Sequence, residues 1–366
     1  MTPPILYSAP EEIYIDHINR CLEKFELIFP IWEHTIKRNF YLCDQDKIKF
    51  LLRQMIIFHD VGKLTAKWQK IIHQELKQEL KENKKMHKPA HASIGASYLY
   101  KKLGQESSYN DFKNAIAFAV AIHHTDSGLL GDNIERPDVQ AIIDGIVGND
   151  GKIDWASGIE TLSVKFFPIE LNELTIEDLK NMARGLRIWA RSGGFLEQHK
   201  KRIQASLVHH ILKLCDISAA SERKEYQKED DKNYYGGWLM VEEIKNYINT
   251  ISKRKRFSDL NAELKRWIEI LIKEYDPEGI FLFGSFARGE IRDWSDIDII
   301  IIKKTSKRFL DRIKEVIMIL KPKVGVDILV YTPEEFNELS NVRTFLKDEI
   351  LEKGIMVYER GSKKMV

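Results

Sequence analysis

The chain has 366 residues, 43% apolar and 31% charged, a composition that excludes a disordered, collagenous or disulfide-stapled protein and, at roughly 100–200 residues per domain, predicts two domains. A net charge of +2, near zero on both sides of residue 257, does not announce a polyanion binder, so the basic runs Lys81, Lys84, Lys85, Lys88 and Lys253-Arg254-Lys255-Arg256 read first as solvated faces and second as nucleic-acid contacts. The opening MTPPILYSAPEE has neither the basic region nor the apolar run of a signal peptide, and no apolar stretch reaches the roughly 18 residues of a membrane span, so a soluble, cytoplasmic protein without membrane contact is expected.

From Asp46 to His59 the apolar residues Ile48, Leu51, Leu52, Met55 and Ile56 fall three and four apart, which predicts a helix with one buried face. Lys113–His124 predicts a nearly all-round apolar helix, also ending in histidines, and Ile203–Ala219 a third. Residues 221–237 are polar and turn-rich, after which Trp238, Val241, Ile244, Ile248 and Ile251 resume a helical stripe. The periodicity predicts a domain of residues 1–252, a basic linker at 253–257 and a second domain of 258–366. Ser258 is placed to cap a helix that Asp276-Pro277-Glu278-Gly279 stops. Ile280–Phe283, Ile297–Ile302 and Val324–Tyr331 then read as strands, with a helical stretch at Phe309–Leu320. The expected fold class is an all-α domain followed by an α+β domain. Cys21, Cys43 and Cys215 are an odd number without a Cys-x-x-Cys pair and read as reduced thiols.

The chemistry of the first domain lies in His17, His59-Asp60, His91, His123-His124 and Asp216, several of them at predicted helix ends. Seven imidazole and carboxylate groups without thiolates suit two divalent ions of borderline or hard character, Mn, Co, Ni or Fe, with Mg possible. A carboxylate such as Asp60 can bridge two ions about 3.5–4 Å apart, the arrangement that hydrolyses phosphate esters. Each histidine taken alone reads more simply as a satisfied core residue, and His209 and His210 are assigned that structural role. His87 is separated from His91 by Pro89, which argues against both lying on one helical face.

The segment His59-Asp60-Val61-Gly62-Lys63, followed by Trp68-Gln69 and preceded by Tyr7-Ser8-Ala9-Pro10 and His17, resembles the CRISPR-associated HD nuclease family, the nuclease part of the type I interference helicase-nuclease. His91-Ala92-Ser93-Ile94-Gly95-Ala96, His123-His124 and Asp216-Ile217-Ser218-Ala219 resemble its later motifs in the same order. The resemblance implies that His17, His59, Asp60 and Asp216 hold one ion, that Asp60, His91, His123 and His124 hold the other, and that Lys63 contacts the scissile phosphate. It implies cleavage of DNA, chiefly single-stranded, in antiviral defence. No GxxxxGK[ST] phosphate loop is present, so the helicase and the guide-RNA complex are expected as separate partners. Trp68 and Gln69 read as packing and helix-capping residues.

In the second domain Gly284-Ser285, ten residues and Asp296-Ile297-Asp298 lie between predicted strands. Alternation along a strand puts Asp296 and Asp298 on one side and Ile297 and Ile299 in the core. Two such carboxylates can hold the Mg²⁺ that bridges nucleotide phosphates. Gly284 permits close approach, Ser285 can donate to a phosphate, and Asp327 is the expected base for an attacking hydroxyl. Residues 284–302 with Val326-Asp327-Ile328-Leu329-Val330 resemble the minimal nucleotidyltransferases of the polymerase-β superfamily. The resemblance implies transfer of a nucleoside monophosphate from an NTP, with ATP the expected donor, to an acceptor that a protein side chain, an RNA end or a small molecule could supply. Arg288 reads as a triphosphate contact or as an ion pair with Glu290 or Asp293.

Joined in one chain, the two suggest a nuclease whose transferase modifies it or a partner. Two other readings stay open: a hydrolase and transferase that remove and add the same nucleotide modification, and a nuclease regulated by a transferase fold that only senses nucleotide.

Overall fold

The computed structural model describes residues 4–76, 88–105, 110–124, 137–222, 235–292 and 294–361. Lys81, Lys84, Lys85, His87 and Asp293 lie outside the described residues, as does most of the polar stretch 221–237. The chain divides into two compact units, Met1–Ile248 and Asn249–Val366. Among the described residues no helix is long and apolar enough to cross a membrane.

The first unit opens with a two-stranded antiparallel ladder, β1 (Tyr7–Ala9) and β2 (Glu12–Ile13), and is otherwise helical: α1 (Tyr14–Asn39), α2 (Ile48–Phe58), α3 (Ala66–Leu76), α4 (Ala92–Leu103), α5 (Asn110–Ala121), α6 (Pro137–Ile143), α7 (Ile176–Arg191) and α8 (Phe195–Ala220). In α2 the residues spaced three and four apart, Ile48, Leu51, Leu52, Met55 and Ile56, are all buried, as a one-sided apolar stripe requires. Helix α1 packs against α8, α5 against α4 and α8, and α4 against α7. Gly62 and Gly95 let the segment after α2 meet the start of α4: a Cβ at Gly62 would lie 2.3 Å from the His91 carbonyl oxygen, and one at Gly95 2.2 Å from that of Phe58. Helix α5 ends at Ala121, short of the histidine pair expected within it.

Helix α9 (Tyr235–Ile270) runs without a break through 253–257, so the expected linker is helical and Ser258 is interior rather than a cap. The cause is composition: between Gly237 and Pro277 the sequence has neither glycine nor proline, and the basic tetrad is made of good helix formers. The helix widens into a π turn at Leu271–Tyr275 and ends where Asp276 takes a left-handed conformation ahead of Pro277.

The second unit holds a four-stranded sheet of order β5-β4-β3-β6, from β3 (Gly279–Phe283), β4 (Ile297–Ile302), β5 (Val326–Tyr331) and β6 (Ile355–Glu359). Strand β4 is antiparallel to β3 and parallel to β5, and β6 is antiparallel to β3. Ile297, Ile299 and Ile301 join the core formed with Trp267, Val316 and Leu320. Ile300 joins a second core with Phe281, Tyr331, Phe336 and Leu346 on the other face. A strand covered on both sides explains the run of isoleucines. A one-turn helix α10 (Gly284–Ala287) follows β3, α11 (Phe309–Leu320) connects β4 to β5, and α12 (Pro333–Val342) with a π turn at Phe345–Glu352 leads to β6.

Candidate functional sites

The ends of α2 and α5 are built alike. The last carbonyls of a helix lack intrahelical donors, and at each end a histidine three residues on supplies one. His59 Nδ1 donates to the Ile56 carbonyl at 2.8 Å, and His123 Nδ1 to that of Val120 at 2.6 Å. A carbonyl only accepts, so each Nδ1 carries a proton and Nε2 is the ring atom left to face the site. Both Nε2 atoms are buried and have no hydrogen-bond partner.

What they face is Asp60, fully buried. Its Oδ2 lies 3.3 Å from His17 Nε2 and 3.5 Å from His59 Nε2, and its Oδ1 lies 3.1 Å from His91 Nε2 and 3.4 Å from His123 Nε2. Asp216 on α8 brings Oδ1 to 3.3 Å from His17 Nε2 and 3.7 Å from that of His59. The Nε2 atoms of His91 and His124 stand 2.7 Å apart. Two groups result whose ligand atoms lie within 4.8 Å of one another: His17, Cys21, His59 and Asp216, and Asp60, His91, His123 and His124. Imidazole nitrogens and carboxylate oxygens that converge in this way make a place a cation can fill, so the donor set fits a metal at each group.

The electrostatics match. Burial pushes the Asp60 carboxyl up, but Lys63 and the histidines around it outweigh it and hold the group well below the usual carboxylate range. Burial pushes His91 down to about 4 against the opposing pull of Asp60, which keeps its imidazole neutral and free to ligate. Lys63 Nζ, itself buried, lies 2.7 Å from Asp60 Oδ2 and 5.6 Å from the Trp68 ring. A cleft of about 450 Å³ lined by Trp68, Lys88, His91, His124 and Gln140 opens beside the second group.

Three contributors escaped sequence reasoning. Cys21 stands one turn after His17 on α1, and the His-x-x-x-Cys spacing was its signal. Glu12 on β2 is buried and accepts from His17 Nδ1 at 3.1 Å while also holding Ser8 and Arg20. Gln69 does more than pack: its amide donates to the carbonyls of Tyr7 and Lys63, each at 2.7 Å, and accepts from the Tyr7 N–H, tying the N-terminal strand to the His-Asp segment. His210 packs edge-on against Trp32, away from either group.

In the second unit the register sets Asp298 opposite Asp327 on neighbouring parallel strands. Asp296 precedes β4 and, with Ser285, Arg288 and Asp298, lines a cavity of about 340 Å³ that also takes in Trp294 and Ser295. Asp327 and Gly284 stand outside that lining. Gly284 has φ +73°, and a Cβ there would lie 1.9 Å from Asp298 Oδ2, so the turn after β3 and the carboxylate both require glycine. Burial together with repulsion from Asp327 and Asp296 pushes Asp298 up to about 6. Ser285 Oγ contacts Ser295 Oγ at 3.2 Å. Arg288 is tied to Glu290 at 3.3 Å and Glu349 at 3.0 Å.

The pattern of the "Cas3, HD domain" family matches residues 26–229, beginning downstream of His17, and that of "Polymerase beta, Nucleotidyltransferase" matches 265–363. Among solved structures the chain is similar to the CRISPR-associated Cas3 HD domain protein from Methanocaldococcus jannaschii, 20% identical over 57% of this chain and 100% of that one, with a TM-score of 0.42. No curated protein matches the chain in sequence.

Proposed function

The chain belongs to the Cas3 HD domain family, and from that premise we propose that its first unit is a two-metal nuclease that cleaves DNA, chiefly single-stranded, in CRISPR antiviral defence. The observation that carries the reading is Asp60, whose two oxygens face two separate histidine groups from inside a buried pocket. His17, His59 and Asp216 with one Asp60 oxygen would hold one divalent ion, and His91, His123 and His124 with the other oxygen would hold the second. When bound, such a pair supplies hydroxide at neutral pH and positive charge against the phosphodiester oxygens. Imidazole and carboxylate donors favour Mn, Co, Ni or Fe, with Mg the harder alternative.

The chain's own residues do the rest. Asp60 fixes the spacing of the two positions. Lys63 adds a positive charge beside the same carboxylate, where it meets the scissile phosphate. The cleft along Trp68, Lys88 and His124 gives an extended strand its approach. A helicase and a guide-RNA complex would deliver that strand as separate proteins.

The second unit is proposed as a nucleotidyltransferase. Asp296 and Asp298 would hold Mg²⁺ with an NTP such as ATP, Gly284, Ser285 and Arg288 would receive the triphosphate, and Asp327 would take the proton of an acceptor hydroxyl, a protein side chain being one candidate. Arg288 must leave Glu290 or Glu349 to do so.

The test is cleavage of labelled single-stranded DNA by the purified chain with Mn²⁺, Co²⁺, Ni²⁺ or Mg²⁺, beside Asp60→Ala. Cleavage by the wild type and none by the variant is expected. Bound metal without cleavage of DNA, but with hydrolysis of an adenylylated protein or a cyclic nucleotide, would overturn the nuclease in favour of a hydrolase acting on nucleotide modifications.

A further inference from the structure

The proposed first metal position has more donors around it than histidine and aspartate. Cys21 is fully buried, and its Sγ lies 3.5 Å from His17 Nε2, with the His59 and Asp216 ligand atoms inside the same 4.8 Å group. Two atoms bound to one ion at roughly 2.0–2.3 Å in tetrahedral geometry stand about 3.3–3.8 Å apart. The spacings in this group, 3.5 Å for Cys21 to His17, 3.3 Å for His17 to Asp216 and 3.7 Å for His59 to Asp216, have that size. The orphaned His59 Nε2 points into the same space. Neither of the other cysteines behaves this way: Cys43 and Cys215 are buried, yet neither joins the group.

Resting on the two-metal reading, we infer that Cys21 supplies a thiolate ligand to the first position. That position then takes a thiophilic borderline ion such as Co²⁺, Fe²⁺ or Zn²⁺ ahead of Mg²⁺ or Mn²⁺, while the second position keeps a purely nitrogen and oxygen set. Ligation replaces the S–H bond by a sulfur–metal bond and releases one proton to solvent for each ion bound. The two positions are chemically unequal, and the softer one is assembled from α1, α2 and α8.

The experiment is a Co²⁺ titration of the metal-free full-length protein followed by absorption spectroscopy. The expected result is visible d–d bands that grow over two equivalents, with a near-ultraviolet sulfur-to-cobalt charge-transfer band that saturates after one. Cys21→Ser loses the charge-transfer band, keeps the d–d bands and weakens Co²⁺ at one position by more than about tenfold, with little change for Mn²⁺. Cys215→Ser keeps the band. Because a variant in a buried position can fail to fold, X-ray absorption of the wild-type cobalt protein decides independently, with a sulfur neighbour at about 2.3 Å expected. Two bound cobalt ions with only nitrogen and oxygen neighbours, or a charge-transfer band that survives in folded Cys21→Ser, would overturn the thiolate ligand and leave the two-metal reading standing. No cobalt binding at all would sink that reading and this inference together.

Discussion

The two candidate sites treat their carboxylates in opposite ways. Asp60 is buried in a helical bundle, and the protein surrounds it with histidines and with Lys63, so that its charge is compensated by the chain itself. Asp298 on β4 has Asp327 and Asp296 as neighbours, and burial together with their repulsion raises its carboxyl to about 6. The first site is already organised, with His59 and His123 oriented by helix-end carbonyls and His17 by Glu12. The second carries unbalanced negative charge that a cation arriving with a nucleotide would neutralise. A resident metal centre and a site whose metal comes with the substrate differ in this respect.

The largest effect that can break this comparison is expected from Asp60→Ala. If its two oxygens serve two positions, the variant loses both ions and the cleavage rate falls by several kcal/mol in barrier, roughly 10³-fold or more. Removing His124, the exposed member of its group, should cost only the second ion. Elemental analysis of bound metal distinguishes the cases, and loss of one ion from both variants would mean that Asp60 does not bridge. Next comes Gly95→Ala. Its Cβ would lie 2.2 Å from a backbone oxygen, so α2 and α4 must separate, at a cost of about 1–3 kcal/mol. A lowered melting temperature with reduced occupancy of the second group is expected, and an unchanged melt would show that the helices have slack.

The outline of both sites was legible in the sequence because their chemistry is written in short strings. His59-Asp60, His123-His124 and the two aspartates around Ile297 each carry their partners within a few residues. Strands and helices followed where periodicity was strong, as at Ile297–Ile302 and Phe309–Leu320. Other features depend on distant neighbours and had no local signal. Glu12 has no motif to mark it until His17 is seen against it, and Gln69 reads as a packing and helix-capping residue until its bonds to Tyr7 are seen. Strand β6 lacks strong alternation and forms because β3 offers it an edge. The stretch 253–257 is helical rather than open because lysine and arginine favour the helix that contains them.

Glu263 sharpens the contrast with a carboxylate whose role is purely structural. Hydrogen bonds from Arg266, followed by the Lys323 N–H and Trp267 Nε1, outweigh its burial and hold it at about 2. A depressed carboxyl stabilises the folded state above its ordinary value near 4.5 and loses that contribution as pH falls toward 2. Glu263→Gln should therefore weaken protection of residues 260–275 by about 2 kcal/mol at pH 7, and by much less at pH 3. Hydrogen exchange measures this, and an equal effect at both pH values would mean that packing rather than charge is responsible.

Asp298→Asn should act with the opposite sign and the smallest magnitude. Its carboxyl is raised rather than lowered, so the ionised group destabilises the fold above about pH 6, and the penalty disappears as pH drops toward the ordinary carboxylate value. Neutral asparagine removes the repulsion from Asp296 and Asp327, and a gain of about 1 kcal/mol at pH 7.5 without Mg²⁺ is expected, shrinking to nothing near pH 4. The same variant should lose Mg²⁺-dependent ATP binding. The two results together would mark a carboxylate kept at the expense of stability for the sake of a cation. Hydrogen exchange of β4 and β5 with and without Mg²⁺ and ATP reads both at once. A variant that is destabilised at pH 7.5 would show that Asp298 belongs to the sheet's own architecture and that the second site is not charged in advance for a metal.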